Sequence, residues 1–216
     1  MNIDRNYNSW GFITSIAATV LSLTFTAFAF STPTAAWEGI ESYAALFSII
    51  SIAADIPVFF LPFCYAIIAV ALVLKKDKTK DLFGILGILF AVPYIVLICT
   101  NYHIQLTIVR HNIESGTLEG LGLFAMTNFH SFFTSLEGLG YFFMGASTFF
   151  LAFLFGGRSI ESWLRWLFLI NAMLGLIGLI ATWLDLVLVI FVFLGVWSAS
   201  FPLTAVLLAF YFKKEK

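Results

Sequence analysis

Charge is what this sequence has least of. Its 216 residues include 11 Lys and Arg against 12 Asp and Glu, a net charge of −1 with His neutral. No basic arm and no basic run interleaved with aromatics occurs, which excludes a nucleic-acid surface. Cysteine is nearly absent: Cys64 and Cys99 both fall inside apolar runs. They read as buried free thiols, and there is no disulfide framework to indicate a compartment. Chelating spacings are missing as well. There is no H-x-x-x-H pair, and the two cysteines stand too far apart to chelate together, so neither a metal nor a cofactor is expected. No G-x-S-G segment is present to support serine-protease chemistry of the rhomboid type.

What fills the chain instead is apolar: 61% of residues are hydrophobic and 18% aromatic, with a mean hydropathy of +1.00. A soluble domain of this length does not need repeated apolar runs of some twenty residues. A bilayer spanner does, because about 20 helical residues cross about 30 Å of hydrocarbon. The runs are apolar on all sides, without the alternation over about ten residues of a membrane β-barrel. The expectation is an all-α polytopic membrane protein, residues 1–216 forming one domain with no soluble module. Six spans are predicted, at about residues 10–30, 52–74, 82–102, 131–155, 164–183 and 187–212.

The first span must be weighed against a signal peptide, because Ala27-Phe28-Ala29 resembles a cleavage site. The apolar region is longer than a roughly 7–15-residue leader core, and only Arg5 precedes it. Thr14, Ala18, Ser22 and Thr26 recur every fourth residue, a small-residue stripe that lets membrane helices pack closely. The second helical pattern begins near Tyr43, earlier than a span ending at Leu74 needs. One helix projecting beyond the bilayer or tilting strongly is therefore predicted, kinked at Pro57 or Pro62. The third pattern continues past the membrane to Glu114, where Ser115-Gly116 stops it. The fifth and sixth spans are split at Asp185, since one helix over 164–212 would be roughly twice a bilayer. The fifth carries its own seam of small and polar residues: Asn171, Gly175, Gly178, Thr182 and Asp185.

With six spans both termini share a side. That side would hold Arg5, Lys75, Lys76, Lys78, Lys80, Arg158, Arg165, Lys213, Lys214 and Lys216, leaving Arg110 alone opposite. By the positive-inside rule the termini are cytoplasmic. The acidic residues Glu38, Glu41, Asp55, Glu114, Glu119, Glu137 and Asp185 map to the outer half. Translocated segments that avoid Lys and Arg explain the loop carboxylates, but not Asp55 and Glu137, which fall within or at the edge of spans.

The fourth span holds most of the polar chemistry. Residues 130, 134, 137, 141, 144 and 148 follow steps of three and four and form one helical stripe: His130, Thr134, Glu137, Tyr141, Met144 and Thr148. An ionisable group in a spanning helix normally faces the bundle interior. Counting depth along the helices brings Asp55, Asn101, Tyr102, His103, Gln105, Arg110, His130, Glu137 and Trp183 to a similar outer level. The candidate site is accordingly Asp55, Tyr102, His103, Arg110, His130, Glu137 and Tyr141, with Arg110 pairing Glu137 or Asp55.

Several readings of that cluster stand side by side. An Arg–carboxylate pair can simply fix helix register, as buried ion pairs often do. Convergent polar groups in an aromatic-walled cavity suit a small amphipathic or lipidic ligand from the outer leaflet, which is the leading expectation. An intramembrane enzyme would use Glu137 or His130 as acid or base and Arg110 as an oxyanion or phosphate clamp. His130 and Glu137, about 10 Å apart along a helix axis, would flank its substrate. A proton-coupled transporter would carry protons on Asp55 and Glu137, although no internal repeat of the kind many transporters have is evident. A metal held by His103, His130, Glu137 and Asp55 is the weakest of these. The expected partners are membrane lipids and a small lipophilic ligand; the oligomeric state is not legible.

Three segments also carry a resemblance: Gln105-Leu-Thr-Ile-Val-Arg110, then Asn128-Phe-His130, then Leu136-Glu-Gly-Leu-Gly-Tyr-Phe-Phe-Met144. Together they resemble a group of uncharacterised bacterial six-helix integral membrane proteins over the third and fourth spans. The resemblance implies six helices and a bacterial or archaeal inner membrane, and it implies no activity.

Overall fold

The computed structural model describes residues 3–31, 37–76, 81–157 and 159–213; for residues 3–6, Phe30 and Asp81 it describes the backbone alone. Six long helices dominate: α1 (Ile3–Ser31), α3 (Ile49–Lys75), α4 (Asp81–Ile104), α6 (Phe132–Ala152), α7 (Ile160–Trp183) and α8 (Val187–Lys213). The short helices α2 (Ile40–Leu46) and α5 (Arg110–Ser115) flank α3 and α4 on the side of the molecule away from Lys75. No strand occurs among the described residues.

The long helices close a ring. α1 packs on α3, α3 on α4, α4 on α6, α6 on α7, α7 on α8, and α8 returns to α1. The polarity of the ring is inverted relative to a water-soluble bundle. On α4, Leu82, Ile85, Leu89, Val92 and Val96 form a helical stripe whose members remain 52–66% exposed. Its opposite face buries Ala91, Tyr94, Ile98, Asn101 and Tyr102. A long exposed apolar stripe is a liability in water and a requirement in hydrocarbon. Among the described residues, five helices are long and apolar enough to cross a membrane, namely Tyr7–Ala29 within α1, α3, α4 with its extension to Ser115, α7 and α8. α6 is not among them, because its 21 residues spend several positions on Glu137, Gly, Ser and Thr.

Small residues set the spacing around the ring. Thr14, Ala18 and Ser22 of the α1 stripe are buried, and the hydroxyls of Thr14, Ser22 and Thr26 bond back to carbonyls one turn earlier. Their polarity is thereby satisfied within the helix. The seam on α7 meets α6: a Cβ on Gly175 would lie 2.5 Å from the Tyr141 carbonyl oxygen. On the α8 side, Asn171 accepts from the Ser200 hydroxyl at 3.3 Å and donates to its own helix at Leu167.

A three-helix hydrogen-bond chain ties the ring across its middle. The Tyr65 hydroxyl of α3 donates to Ser147 Oγ of α6 at 2.7 Å, and Ser147 donates to the Gly87 carbonyl of α4 at 2.6 Å. Ser147→Ala would leave a fully buried phenol and a carbonyl without this partner, at a cost of about 2 kcal/mol. The check is the unfolding midpoint of the purified protein; Tyr65→Phe, which keeps the Ser147–Gly87 bond, should cost about 1 kcal/mol.

Several boundaries differ from the expected ones. The segment from Tyr43 is not one continuous helix. α2 ends at Leu46, Phe47 is extended, and Ser48 starts α3 with its N–H bonded to Ser51 Oγ. A polar cap at Ser48 competes successfully with propagation of the helix. α3 runs through both Pro57 and Pro62. The third helix does continue as expected. After α4 it passes through one π-helical turn, Gln105–Val109, into α5, and Gly116 ends it in the left-handed conformation. α7 and α8 separate at Leu184–Leu186, with Asp185 at φ 55°, a conformation Asp tolerates better than most residues.

One end of the ring is closed by basic and aromatic groups. Lys76 Nζ bonds Glu161 Oε1 at 2.7 Å and stands 5.3 Å from the Tyr211 ring, while Lys75 Nζ reaches Asn8 at 2.8 Å. Burial lowers the Lys76 ammonium, but its bonds to Glu161 and Tyr211 outweigh that and raise it. Phe155 and Phe212 are buried in the same plug. Of the cations assigned to this side, Lys78, Lys80, Arg158, Lys214 and Lys216, and the side chain of Arg5, lie outside the described residues.

Candidate functional site

Inside the opposite half of the ring, α3, α4 and α6 each bring polar side chains to one interior space. On α3 the inward face follows steps of three and four through Asp55, Val58, Pro62, Tyr65, Ala69 and Leu72, all buried. On α6 the predicted stripe holds from Thr134 onward: Thr134, Tyr141, Met144 and Thr148 are buried, and Glu137 is half-buried among them. α4 faces them with Tyr94, Ile98, Asn101 and Tyr102.

The central contact joins α4 to α6. The Tyr102 hydroxyl donates to Glu137 Oε1 at 2.7 Å. Tyr102 is 1% exposed and its ring meets Phe133 edge-on at 5.5 Å, so both the phenol and its acceptor are held rigidly. Asp55 retains 3% of its surface and lies within electrostatic range of Glu137. Tyr94 and Tyr141 are likewise within range of Glu137. Tyr141 in turn packs on Phe193 and Trp197 of α8, with ring centroids 5.5 and 4.9 Å away.

Several interior polar atoms are unpaired. Among the described residues, three buried side-chain atoms are both sealed from water and without a partner: Ser15 Oγ, Gln105 Oε1 and Trp197 Nε1. The Asp55 carboxylate and the Tyr94 and Tyr141 hydroxyls also have no hydrogen-bond partner among the described residues, yet they are not in that sealed set. Each residue is nonetheless almost wholly enclosed. Two carboxylates and three phenols thus form one interior polar cluster among aromatic rings, the chamber of the ring.

A lid of short elements covers the chamber. Gln105 Nε2 donates to the Phe124 carbonyl at 2.8 Å and Asn128 Nδ2 to the Gly122 carbonyl at 2.8 Å, folding residues 116–131 over α4 and α6. Leu121 and Ala125 of this segment are buried. Tyr43 of α2 reaches the same place: burial first, and the neighbouring Asp55 charge second, push its phenol up, against a hydrogen bond from the Met126 backbone. A cleft of about 520 Å³ runs between α2 and this loop, lined by Ile40, Glu41, Leu118, Glu119 and Leu123.

Of the seven expected site residues, Asp55, Tyr102, Glu137 and Tyr141 come together and three do not. Arg110 bonds Glu114 one turn along at 2.8 Å, both partly exposed, instead of pairing Glu137 or Asp55. Eight residues beyond Tyr102, it stands about 12 Å further along the axis, above the chamber. His130 precedes the Ser131 N-cap of α6 and so is not on the helical stripe. It is 77% exposed and contacts Asp185 at 3.1 Å. His103 is exposed beside Phe59, and among the described residues no group of three or more His, Cys, Asp or Glu side chains converges. Tyr94 was not anticipated, although the rule applied to α6 would have found it: residues 94, 98 and 101 of α4 and Gln105 of the π-helical turn after it follow the same steps. Phe193 and Trp197 of α8 were not among the expected residues either; Ser200 and Thr204, which continue the same face at steps of three and four, mark it as buried.

Comparisons with protein-family models, curated proteins and solved structures gave no match for this chain.

Proposed function

We propose that this chain is an integral membrane protein of six spans, cytoplasmic at both ends, in a bacterial or archaeal inner membrane. We further propose that it binds or carries a small amphipathic ligand in the chamber around Glu137. The six-span count treats α6 as a span although it is the least apolar of the ring. A helix enclosed by α4 and α7 needs less apolar surface than one facing lipid on most sides. The sidedness rests on the positive-inside rule and on the basic plug at the Lys75–Lys76 end.

The observation that carries the ligand reading is the meeting of Asp55, Tyr102, Glu137 and Tyr141 from three helices, with unpaired oxygens among them. Buried polar groups are almost always satisfied, so unpaired ones grouped together favour something that binds them. The enzyme reading has less support, since Arg110 and His130 are partnered outside the chamber.

Native mass spectrometry of the wild type beside Glu137→Gln tests the proposal. A small molecule should accompany the wild type in near-stoichiometric amount and be absent from a folded Glu137→Gln variant. Bare protein in both cases, with the variant markedly less stable, would make the cluster architectural.

A further inference from the structure

The chamber is acidic without a counter-charge. Among the described residues no Lys, Arg or His side chain is buried. The nearest always-charged cation on that side, Arg110, is engaged by Glu114. The basic residues Lys75 and Lys76 are held in the plug at the far end. Asp55, 3% exposed, and Glu137, held by the Tyr102 hydroxyl, thus lie within electrostatic range of each other with no buried cation among the described residues. The walls are aromatic faces and edges: Phe133 against Tyr102, and Phe193 and Trp197 against Tyr141. Independently of the carboxylates, the Tyr94 and Tyr141 side chains are 1% and 3% exposed, their hydroxyls are without a hydrogen-bond partner among the described residues, and both lie within electrostatic range of Glu137.

We infer that the group bound in this chamber is an organic cation, an amine or quaternary ammonium on an apolar body, held by Asp55 and Glu137 within the aromatic wall. The inference rests on the ligand reading above and names its chemistry. Three physical terms point the same way. Charge-assisted hydrogen bonds from an ammonium to a carboxylate are about twice as strong as neutral ones. Aromatic faces attract cations through their quadrupole, more strongly where water is excluded. An anionic headgroup would meet two carboxylates and no cation, a repulsion that an enclosed site screens poorly. A hard divalent metal is a poor fit, because it would need about six to eight oxygens around it, and here two carboxylates stand among ring faces. The apolar body of the ligand would extend along the Phe and Leu surface between the helices.

The test uses the full chain in nanodiscs of zwitterionic lipid and three probes that share one skeleton: 5-phenylpentylamine, 5-phenylpentanol and 5-phenylpentanoate. Binding is measured by calorimetry at neutral pH, where the first is cationic, the second neutral and the third anionic. The amine should bind at least about tenfold tighter than the alcohol, a difference of about 1.4 kcal/mol, and the carboxylate weakest. Asp55→Asn and Glu137→Gln should each remove about tenfold from the amine and weaken the alcohol clearly less. Tyr141→Leu, which keeps both charges, should weaken the amine more than the alcohol. Equal or tighter binding of the alcohol or the carboxylate would overturn the cation assignment and leave the chamber reading standing. So would an amine preference that survives the Asp55→Asn/Glu137→Gln double variant. No binding of any of the three would overturn both.

Discussion

Gly175→Ala should cost about 3 kcal/mol, an unusual loss for a change that adds one methyl to a helix interior. In most helices the same change gains up to about 1 kcal/mol, because Ala has the higher helix propensity. Here the new Cβ would stand 2.5 Å from the Tyr141 carbonyl oxygen and 3.1 Å from Gly145 Cα. Both neighbours are backbone, so no side chain can swing away; α6 and α7 must separate. Overpacking of this kind costs about 1–3 kcal/mol, occasionally more, and the gap it opens would also lose contacts along the whole seam. Gly195→Ala is the internal comparison. Nothing lies within 4 Å of its Cβ position, so it should be neutral or stabilising by up to about 1 kcal/mol. Unfolding midpoints of the two variants in one detergent decide the matter. Equal effects would mean that the α6–α7 contact is looser than its geometry implies. Because Tyr141 belongs to the crossing itself, Gly175→Ala should also weaken any ligand bound beside Glu137.

The second large effect is expected at Tyr102. Tyr102→Phe removes the one hydrogen bond to the Glu137 carboxylate among the described residues. Bonds to charged groups contribute about 1.5–3 kcal/mol, and the loss falls toward the upper part of that range when the acceptor stays enclosed. A loss of about 2 kcal/mol is therefore expected. Glu137→Leu alone should cost a similar amount by leaving the Tyr102 hydroxyl without an acceptor. The double variant, Tyr102→Phe with Glu137→Leu, should cost clearly less than the two losses added together, since both partners are then apolar. A double-mutant cycle on unfolding free energies reads this coupling; strict additivity would mean that the two side chains do not depend on each other. The cycle also separates two roles. If the pair only holds α4 to α6, the double variant recovers both stability and function. If Glu137 binds a ligand, stability recovers and ligand capture does not.

How much of this was legible in the sequence depends on the distance over which each feature acts. The small-residue stripe of α1 and the inward stripe from Thr134 to Thr148 are governed by residues within a turn or two, and periodicity of 3.6 residues reports them directly. The stop at Gly116 follows from a local breaker, and the break at Asp185 from the length of helix that a bilayer accommodates. The early end of α2 was missed because Ser48 is a cap within an otherwise helical pattern, and a cap competes locally at small energetic difference. His130 was placed on the stripe by counting, but Ser131 starts the helix one residue later. The pairing of Arg110 with Glu137 or Asp55 rests on depth and sign of charge alone. Depth counting has an uncertainty of about a turn, and Glu114, four residues away on the same helix, was the nearer acid.

The sequence by itself thus determined that the chain is helical and built for apolar surroundings, and which face of α6 carries its chemistry. These follow from composition and from periods shorter than one helix. Only the tertiary structure decided that the ring closes α8 onto α1, that Tyr102 and not Arg110 holds Glu137, and that Asp55 comes within electrostatic range of it with no buried cation among the described residues. Those facts depend on which turns of separate helices come level. That is set by glycine contacts such as Gly145–Gly175 and by side-chain packing across the ring, interactions between residues far apart in the chain that leave no local period to read.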